Sequence, residues 1–313
     1  FGATAAVTVA TVAVGLTTAA IGAATAAPIA FRSSVALAIA AAAAAFFAAT
    51  AGAVRLRRFR CGFTTAESEE IVRYPVRRRV IRILMLFGNF GIAILLASGE
   101  QARYRECLVR SAWARLHQIH SAGAQRPPAR ERATSYGEGL FDALAAGHWA
   151  LARDIATASP PGWVPEGEYE DDYCHVRLIG LYTCEPAPDP AAVQALLARH
   201  AQVLDGARTP RLALGRALYA RDADAFADAF EDGLREEAEA RMAARERLGE
   251  PDGDAALVWM RGYVATEALA LLRLAEAAGI APPGPHPLCP PGALPAGPCP
   301  NYPDPFAEIE AAR

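Results

Sequence analysis

Past Gly99, the apolar residues of this chain recur three and four positions apart. No stretch sustains the period-two alternation rich in Val, Ile or Thr that a half-buried strand requires. That restricts the fold to helices packed on helices. In EQARYRECLVRSAWARLHQIH, Tyr104, Leu108, Ala112 and Leu116 mark one apolar face. In TEALALLRLAEAAGI (Thr266 to Ile280), Leu269, Leu271, Leu272 and Leu274 surround a helix that must be mostly buried, with Gly279 as its stop signal. Two segments resemble each other, ALAAGHWALARDI (Ala143 to Ile155) and ALYARDADAFADAF (Ala217 to Phe230). Each has a helix end, a turn at Gly147 or Arg221-Asp222, and a second helix. Two copies do not make a regular solenoid, so the expectation is an irregular, tetratricopeptide-like bundle of helical hairpins. The segment LREEAEARMAARERLGE alternates in charge sign, as a solvated helix laced by i,i+4 pairs does, and ends at Gly249 ahead of Pro251.

The N-terminal part is of another kind. Residues 1–31 carry no charge, and neither do residues 33–54. Each stretch exceeds the ~20 apolar residues of a membrane-spanning helix. AAPIAFRSS between them, with one proline and one arginine, makes a tight turn. RLRRFR (Arg55 to Arg60), Arg73 and the Arg77-Arg78-Arg79 cluster follow, and the positive-inside rule puts such a stretch in the cytoplasm. The reading is a transmembrane helical hairpin with both ends inside. A signal peptide cut near Ala24 to Ala27, followed by an anchor, is the alternative. A third apolar run, Ile83 to Gly99, is short for a span and is interrupted by Gly88, Asn89 and Gly91. It reads as the first of two packed helices opening the helical domain; were it to span, the rest of the chain would lie outside. At the other end, eleven prolines between Ala281 and Pro305 predict an ordered-to-extended tail without helix.

Charge and cysteine usage narrow the function classes. The net charge of −3 hides an asymmetry: arginines outnumber acids 16 to 6 between Arg55 and Arg132, and acids outnumber arginines 21 to 11 between Leu151 and Met260. There is no lysine, which excludes a P-loop. His117 and His120 are one turn apart but lack the i,i+4 spacing and carboxylate of a helical zinc site. The remaining histidines are scattered, with no nucleophile elbow or Cys-His pattern. None of the six cysteines has zinc-type spacing; Cys289 and Cys299 flank a proline-rich loop and are placed to pair in an oxidising compartment, reduced thiols being the default. No cofactor, metal or nucleic-acid motif emerges, and nothing specifies an oligomeric state.

The densest cluster of potential chemistry is EGEYEDDY. Glu166, Glu168, Glu170, Asp171 and Asp172 put five carboxylates into seven positions just after the turn SPPGW. A helix starting around Glu168 would place several of them against the positive end of its dipole, worth ~0.3–1 kcal/mol each. Tyr169, Tyr173 and Val176 would then face inward. The dipole accounts for two or three acids but not five, since their mutual repulsion grows as the dipole effect saturates. An acidic catalytic pair has no identifiable oxyanion donors beside it. An anionic surface for a cationic partner accounts for the excess, and assigns Glu166, Glu168, Tyr169, Glu170, Asp171 and Asp172 to partner binding.

WVPEGEYEDDYCHVRLI (Trp163 to Ile179), DGARTPRLALGRALYARDADAFADAF (Asp205 to Phe230) and TEALALLRLAEAAGI, in that order and spacing, resemble bacterial polymorphic-toxin immunity proteins, specifically immunity protein family 49. The helix around Asn89 and YRECLVRSAWARLH fit the start of such a domain, so the resemblance covers roughly residues 80–285. It implies an all-helical protein that binds a cognate toxin and protects its producer without chemistry. Toxins of several kinds are implied, nucleases among them. Two features depart from the family pattern: the Ala-rich N-terminal hairpin, and Ala268 at a small-residue position of the last helix. The chain then divides into an apolar membrane hairpin (1–60), a basic juxtamembrane linker (61–82), the immunity-like helical domain (83–283) and a Pro-rich tail (284–313). The expected location is the inner membrane, held through residues 1–54 with the helical domain cytoplasmic; the alternative is a cytoplasmic protein. The competing functional reading is a membrane-anchored helical-repeat scaffold of an envelope complex, and a hydrolase using the carboxylates is a third.

Overall fold

The computed structural model describes residues 87–121, 132–185, 187–248 and 262–305. The membrane hairpin, the basic linker and the Gly249 helix end all lie outside the described residues. The described residues form helices, with no strand among them. In chain order these are α1 (residues 87–98), α2 (Gln101–Ser121), α3 (Glu138–Ala145), α4 (Trp149–Ala158), α5 (Glu170–Cys184), α6 (Pro190–Val203), α7 (Pro210–Ala220), α8 (Ala223–Leu248) and α9 (Thr266–Ala277).

The two segments that resemble each other are the same hairpin built twice. α3 ends with Gly147 at φ 74°, where the His148 amide donates to the Ala143 carbonyl at 2.8 Å and the Gly147 amide to Leu144 at 2.8 Å. α7 ends with Arg221 at φ 54°, where Asp222 donates to Ala217 at 3.0 Å and Arg221 to Leu218 at 3.3 Å. Both are Schellman stops, which satisfy the last carbonyls of a helix through a left-handed residue. The residue after each stop caps the next helix: His148 Nδ1 accepts from the Leu151 amide, and Asp222 Oδ1 from the Ala225 amide. One residue therefore ends one helix and the next starts another, which forces the two helices to fold back on each other. Proline at the first helical position follows the capping Asp189 and Thr209 at the starts of α6 and α7.

Successive helices pack from α2 through α8, with α5 touching α4, α6, α7 and α9. From the far end of the sequence, α9 returns to lie against α3 and α5. It closes what would otherwise be an open row of hairpins. The faces expected from periodicity are the buried ones: Tyr104, Leu108 and Ala112 are fully covered, and Leu269, Leu271, Leu272 and Leu274 surround α9 in the core. The described part of the third apolar run is α1, which packs on α2 with Ile92 and Leu95 buried. No helix among the described residues is long and apolar enough to cross a membrane.

Helix α2 is approached closely on two sides because glycine stands at both contacts. A Cβ on Gly91 would lie 2.8 Å from Cys107 Cβ, and one on Gly139 would lie 2.3 Å from Arg115 Cβ. Arg115 Cβ is anchored to the α2 backbone and cannot swing away. Gly139→Ala is therefore expected to destabilise the protein: overpacking costs about 1–3 kcal/mol and the better helix propensity of Ala returns only ~1. Gly215→Ala serves as the comparison, because its Cβ would meet the methyl ends of Leu178 and Leu197, which can change rotamer. Urea midpoints should fall further for Gly139→Ala than for Gly215→Ala.

The proline-rich segment is not a loose tail. Apart from a 3₁₀ turn at Pro291–Ala293 it is without helix, and it folds back on the bundle. Cys289 and Ala293 are buried in the core. The Ala265 amide donates to the Leu288 carbonyl at 2.9 Å. Arg105 of α2, 5% exposed, donates to the carbonyls of Pro295 (2.8 Å), Pro298 (2.9 Å), Ala296 and Gly297 (both 3.3 Å), while Arg273 of α9 donates to Pro295 at 2.6 Å. Proline removes amide donors from this stretch but leaves every carbonyl. Two guanidiniums supply what the missing amides cannot. Cys289 and Cys299 are both free thiols.

Candidate partner-binding surface

The acidic segment divides into braced and unbraced members. α5 begins at Glu170 rather than Glu168, with Glu170, Asp171 and Asp172 in its first turn. Glu168 stays in the preceding turn, where its carboxylate accepts from the Ser135 amide (2.7 Å) and the Val164 amide (3.0 Å). It ties the loop before α3 to the turn before α5. Trp163 Nε1 donates to the Glu168 carbonyl at 3.1 Å, and Tyr173 Oη to Pro161 at 2.6 Å. Glu170 accepts from Arg199 of α6 at 2.5 Å, and Asp172 from Arg211 of α7 at 2.6 Å.

Glu166 and Asp171 have no hydrogen bond or ion pair among the described residues. Tyr169 departs from the expected inward face. Its side chain is 79% exposed, because the later helix start leaves it as the extended N-cap residue outside α5. Val176 is buried as expected, and Tyr173 is half-buried. The six residues thus share one edge. Glu168, Glu170 and Asp172 hold it in shape, and Glu166, Tyr169 and Asp171 are presented on it, with Trp163 38% exposed beside them.

Behind this edge lies a charge network that no local pattern announced. Glu267, in the first turn of α9, accepts from Arg211 Nε (3.2 Å) and Nη2 (3.0 Å) and sits 2.9 Å from His175 Nε2 of α5. Burial by itself would raise the Glu267 pKa, but the hydrogen bonds and charges of His175 and Arg211 prevail and hold it down to about 2. His175 is buried, and its Nδ1 has no hydrogen-bond partner among the described residues. On α6, burial and then the neighbouring His175 push His200 down to about 4. On α8, Arg241 is ion-paired to Glu237 and donates to the Gly262 carbonyl at 2.5 Å. Burial keeps the Glu237 carboxyl above its ordinary range in spite of that pair.

Helices α3, α5, α7, α8 and α9 meet around a cleft of about 180 Å³. Glu138, Asp172, Glu237 and Glu267 line it, together with Arg211, Arg241 and the apolar Phe141 and Val176. Five separated segments contribute, which is why sequence reading missed it. The one signal available was Glu267 itself, a carboxylate placed just before the run ALALL of a helix that is otherwise buried in the core.

The other candidates do not assemble. His117 is buried and His120 exposed, so the pair does not share an environment. Among the described residues no group of three or more His, Cys, Asp or Glu side chains is placed to hold a metal ion. Burial pushes Cys107 and Cys289 up to about 12 and Cys174 up to about 11, far from the depressed values of reactive thiols.

These features define an all-helical bundle that presents a braced acidic edge beside a small charged cleft. The chain matches the family model described as Immunity protein 49 over residues 22–293 and belongs to that family. It is an immunity protein, a class whose partner is a cognate toxin and whose members are generally non-enzymatic. The match reaches further on both sides than the resemblance at residues 80–285, taking in the second uncharged N-terminal stretch and part of the proline-rich segment. Comparison with curated proteins and with solved structures gives no match.

Proposed function

We propose that this chain neutralises its toxin by direct binding, without chemistry of its own, and that the contact is centred on the edge formed by Glu166, Tyr169 and Asp171. The observation that carries the reading is Tyr169, a large aromatic 79% exposed between acids whose neighbours are locked by hydrogen bonds. A tyrosine has only two side-chain torsions to fix on binding, and Tyr and Trp are the residues that most often anchor interfaces. The surrounding charge favours a basic toxin. A nuclease, which needs a basic surface to grip phosphates, is the partner we infer. Charge complementarity of this kind speeds association and weakens as salt rises.

The tetratricopeptide-like hairpin array serves as the scaffold of this edge. Residues 1–54 tether it to the inner membrane with the bundle cytoplasmic, a placement supported by the uncharged stretches and the arginines after them. Since the family match begins at residue 22, carbonate extraction of membranes is the measurement that separates insertion from burial of this segment within the bundle. Release of the protein by carbonate would overturn the tether.

The binding reading is tested by co-expression with the toxin encoded in the adjacent reading frame. The wild-type chain should restore growth. Tyr169→Ala combined with Glu166→Arg and Asp171→Arg should abolish rescue and weaken binding at least 100-fold, while circular dichroism stays unchanged and the thermal midpoint falls by only a few degrees. None of the three side chains makes a hydrogen bond or ion pair among the described residues, so the stability cost is limited to reversing Asp171 in the first turn of α5, which the thermal midpoint reads separately from binding. Rescue and affinity that survive the triple change would sink the proposal.

A further inference from the structure

We propose that the cleft between α3, α5, α7, α8 and α9 is a receptor for a single arginine side chain of the partner protein; this rests on the toxin-binding reading and specifies part of its chemistry. The argument is an inventory of donors and acceptors. Four carboxylates and two guanidiniums line the cleft. The guanidiniums are committed: Arg211 donates through Nε and both Nη atoms to Glu267 and Asp172, and Arg241 donates through both Nη atoms to Gly262 and Glu237.

The acceptors are not exhausted. Asp172 is engaged only through Oδ1 and Glu237 only through Oε1, and Glu138 has no hydrogen bond or ion pair among the described residues. Arg115, buried beneath α3, interacts electrostatically with Glu138. The cleft therefore has spare acceptors and excess negative charge, which disfavours an anion and selects a multi-donor cation.

Shape narrows the cation further. Phe141 and Val176 supply an apolar wall for an aliphatic stem. Carboxylates contributed by three different helices suit a planar guanidinium with five divergent donors better than the compact ammonium of lysine. The cleft shares Asp172 with the acidic edge, so one toxin surface can reach both.

The experiment uses the full chain in two arms. In the first, methylguanidinium chloride is titrated and amide shifts are followed by NMR. Saturable shifts are expected at residues 135–138, 237–241 and 266–267, at least tenfold weaker in Glu138→Gln/Glu237→Gln. Methylammonium chloride at equal ionic strength should give none. Gln retains the oxygen that accepts from Arg241, so the fold should survive, and the thermal midpoint verifies it. Absence of saturable shifts, an equal response to methylammonium, or an unchanged response in the double variant would each overturn the proposal. In the second arm, the adjacent-frame toxin should bind the double variant at least tenfold more weakly, and one Arg→Lys change in the toxin should reproduce the loss. Full toxin affinity in the double variant, with binding abolished by the Tyr169 triple change, defeats the arginine receptor and leaves the immunity reading standing. Guanidinium binding in a wild-type chain that does not bind the toxin defeats the immunity reading and, with it, the receptor's role.

Discussion

Glu267→Ala should lower stability by about 3 kcal/mol, and wild-type stability should already decline as pH falls below about 6.5. Removing the Glu267 carboxylate takes both hydrogen bonds that Arg211 makes to α9. It also leaves His175, 2% exposed, with no partner among the described residues on either ring nitrogen. Breaking a fully buried ion pair costs about 3–5 kcal/mol. The lower end applies here because 27% of the Glu267 side chain and 43% of the Arg211 side chain remain open to solvent.

Two groups lower stability as pH falls, His200 and Glu267, while Glu237, whose carboxyl burial holds above its ordinary range, partly offsets them above pH 4.5. His200 is ordinarily 6.5 and falls to about 4 in the fold, so the unfolded chain takes up its proton first. Its contribution is complete above pH 6.5 and is lost between 6.5 and 4. Asp171 opposes that shift, while His175, Arg211 and Arg216 reinforce it. Glu267 moves from 4.5 to about 2, so its contribution is complete above pH 4.5 and is lost between 4.5 and 2. Each shift corresponds to at most about 3 kcal/mol. Urea midpoints measured as a function of pH check this. His200→Leu should flatten the limb between 6.5 and 4, and Glu267→Gln the limb below 4.5. A wild-type profile that His200→Leu leaves unchanged between pH 6.5 and 4 would contradict the His200 assignment, and one flat from 4.5 to 2 the Glu267 assignment.

The second large effect is expected at Arg105. Arg105→Ala removes the guanidinium that gathers four carbonyls of residues 295–298, leaving Arg273 as the remaining guanidinium on that stretch. Hydrogen bonds from a charged donor are worth about 1.5–3 kcal/mol, and those made by one side chain are not additive. A loss of about 3 kcal/mol follows. It should be accompanied by rapid proteolytic cleavage between residues 281 and 305 at protease concentrations that leave the wild type intact. Arg105→Lys should recover only part of the loss, because one ammonium cannot span the carbonyls that the planar fork reaches. If cleavage of this segment proved no faster in Arg105→Ala, the strap would be held by the burial of Cys289 and Ala293 instead.

Local pattern carried much of this protein. The inward faces of α2 and α9, the turns at Gly147 and Arg221, and the helix stop at Gly279 were all legible, because period, left-handed stops and caps act over a few residues. The composition of the acidic segment was equally plain. What the pattern misjudged was its register. Glu168 looks like a first-turn acid, yet two backbone amides, at Ser135 and Val164, claim its carboxylate and delay α5 until Glu170. That delay turns Tyr169 outward. Ser135 is distant in sequence, so no local rule could place it there.

By itself, then, the sequence determined the helical class, the two tight hairpins and the excess of negative charge after Trp163, since each follows from spacing or composition within one turn of chain. The tertiary structure alone decided which acids are spent on the fold and which face outward. The return of α9 onto α3 and α5 brings Glu267 to Arg211 and His175, and arginines from α6 and α7 neutralise Glu170 and Asp172. Ion pairs join side chains across long sequence separations, and their formation depends on how whole helices dock.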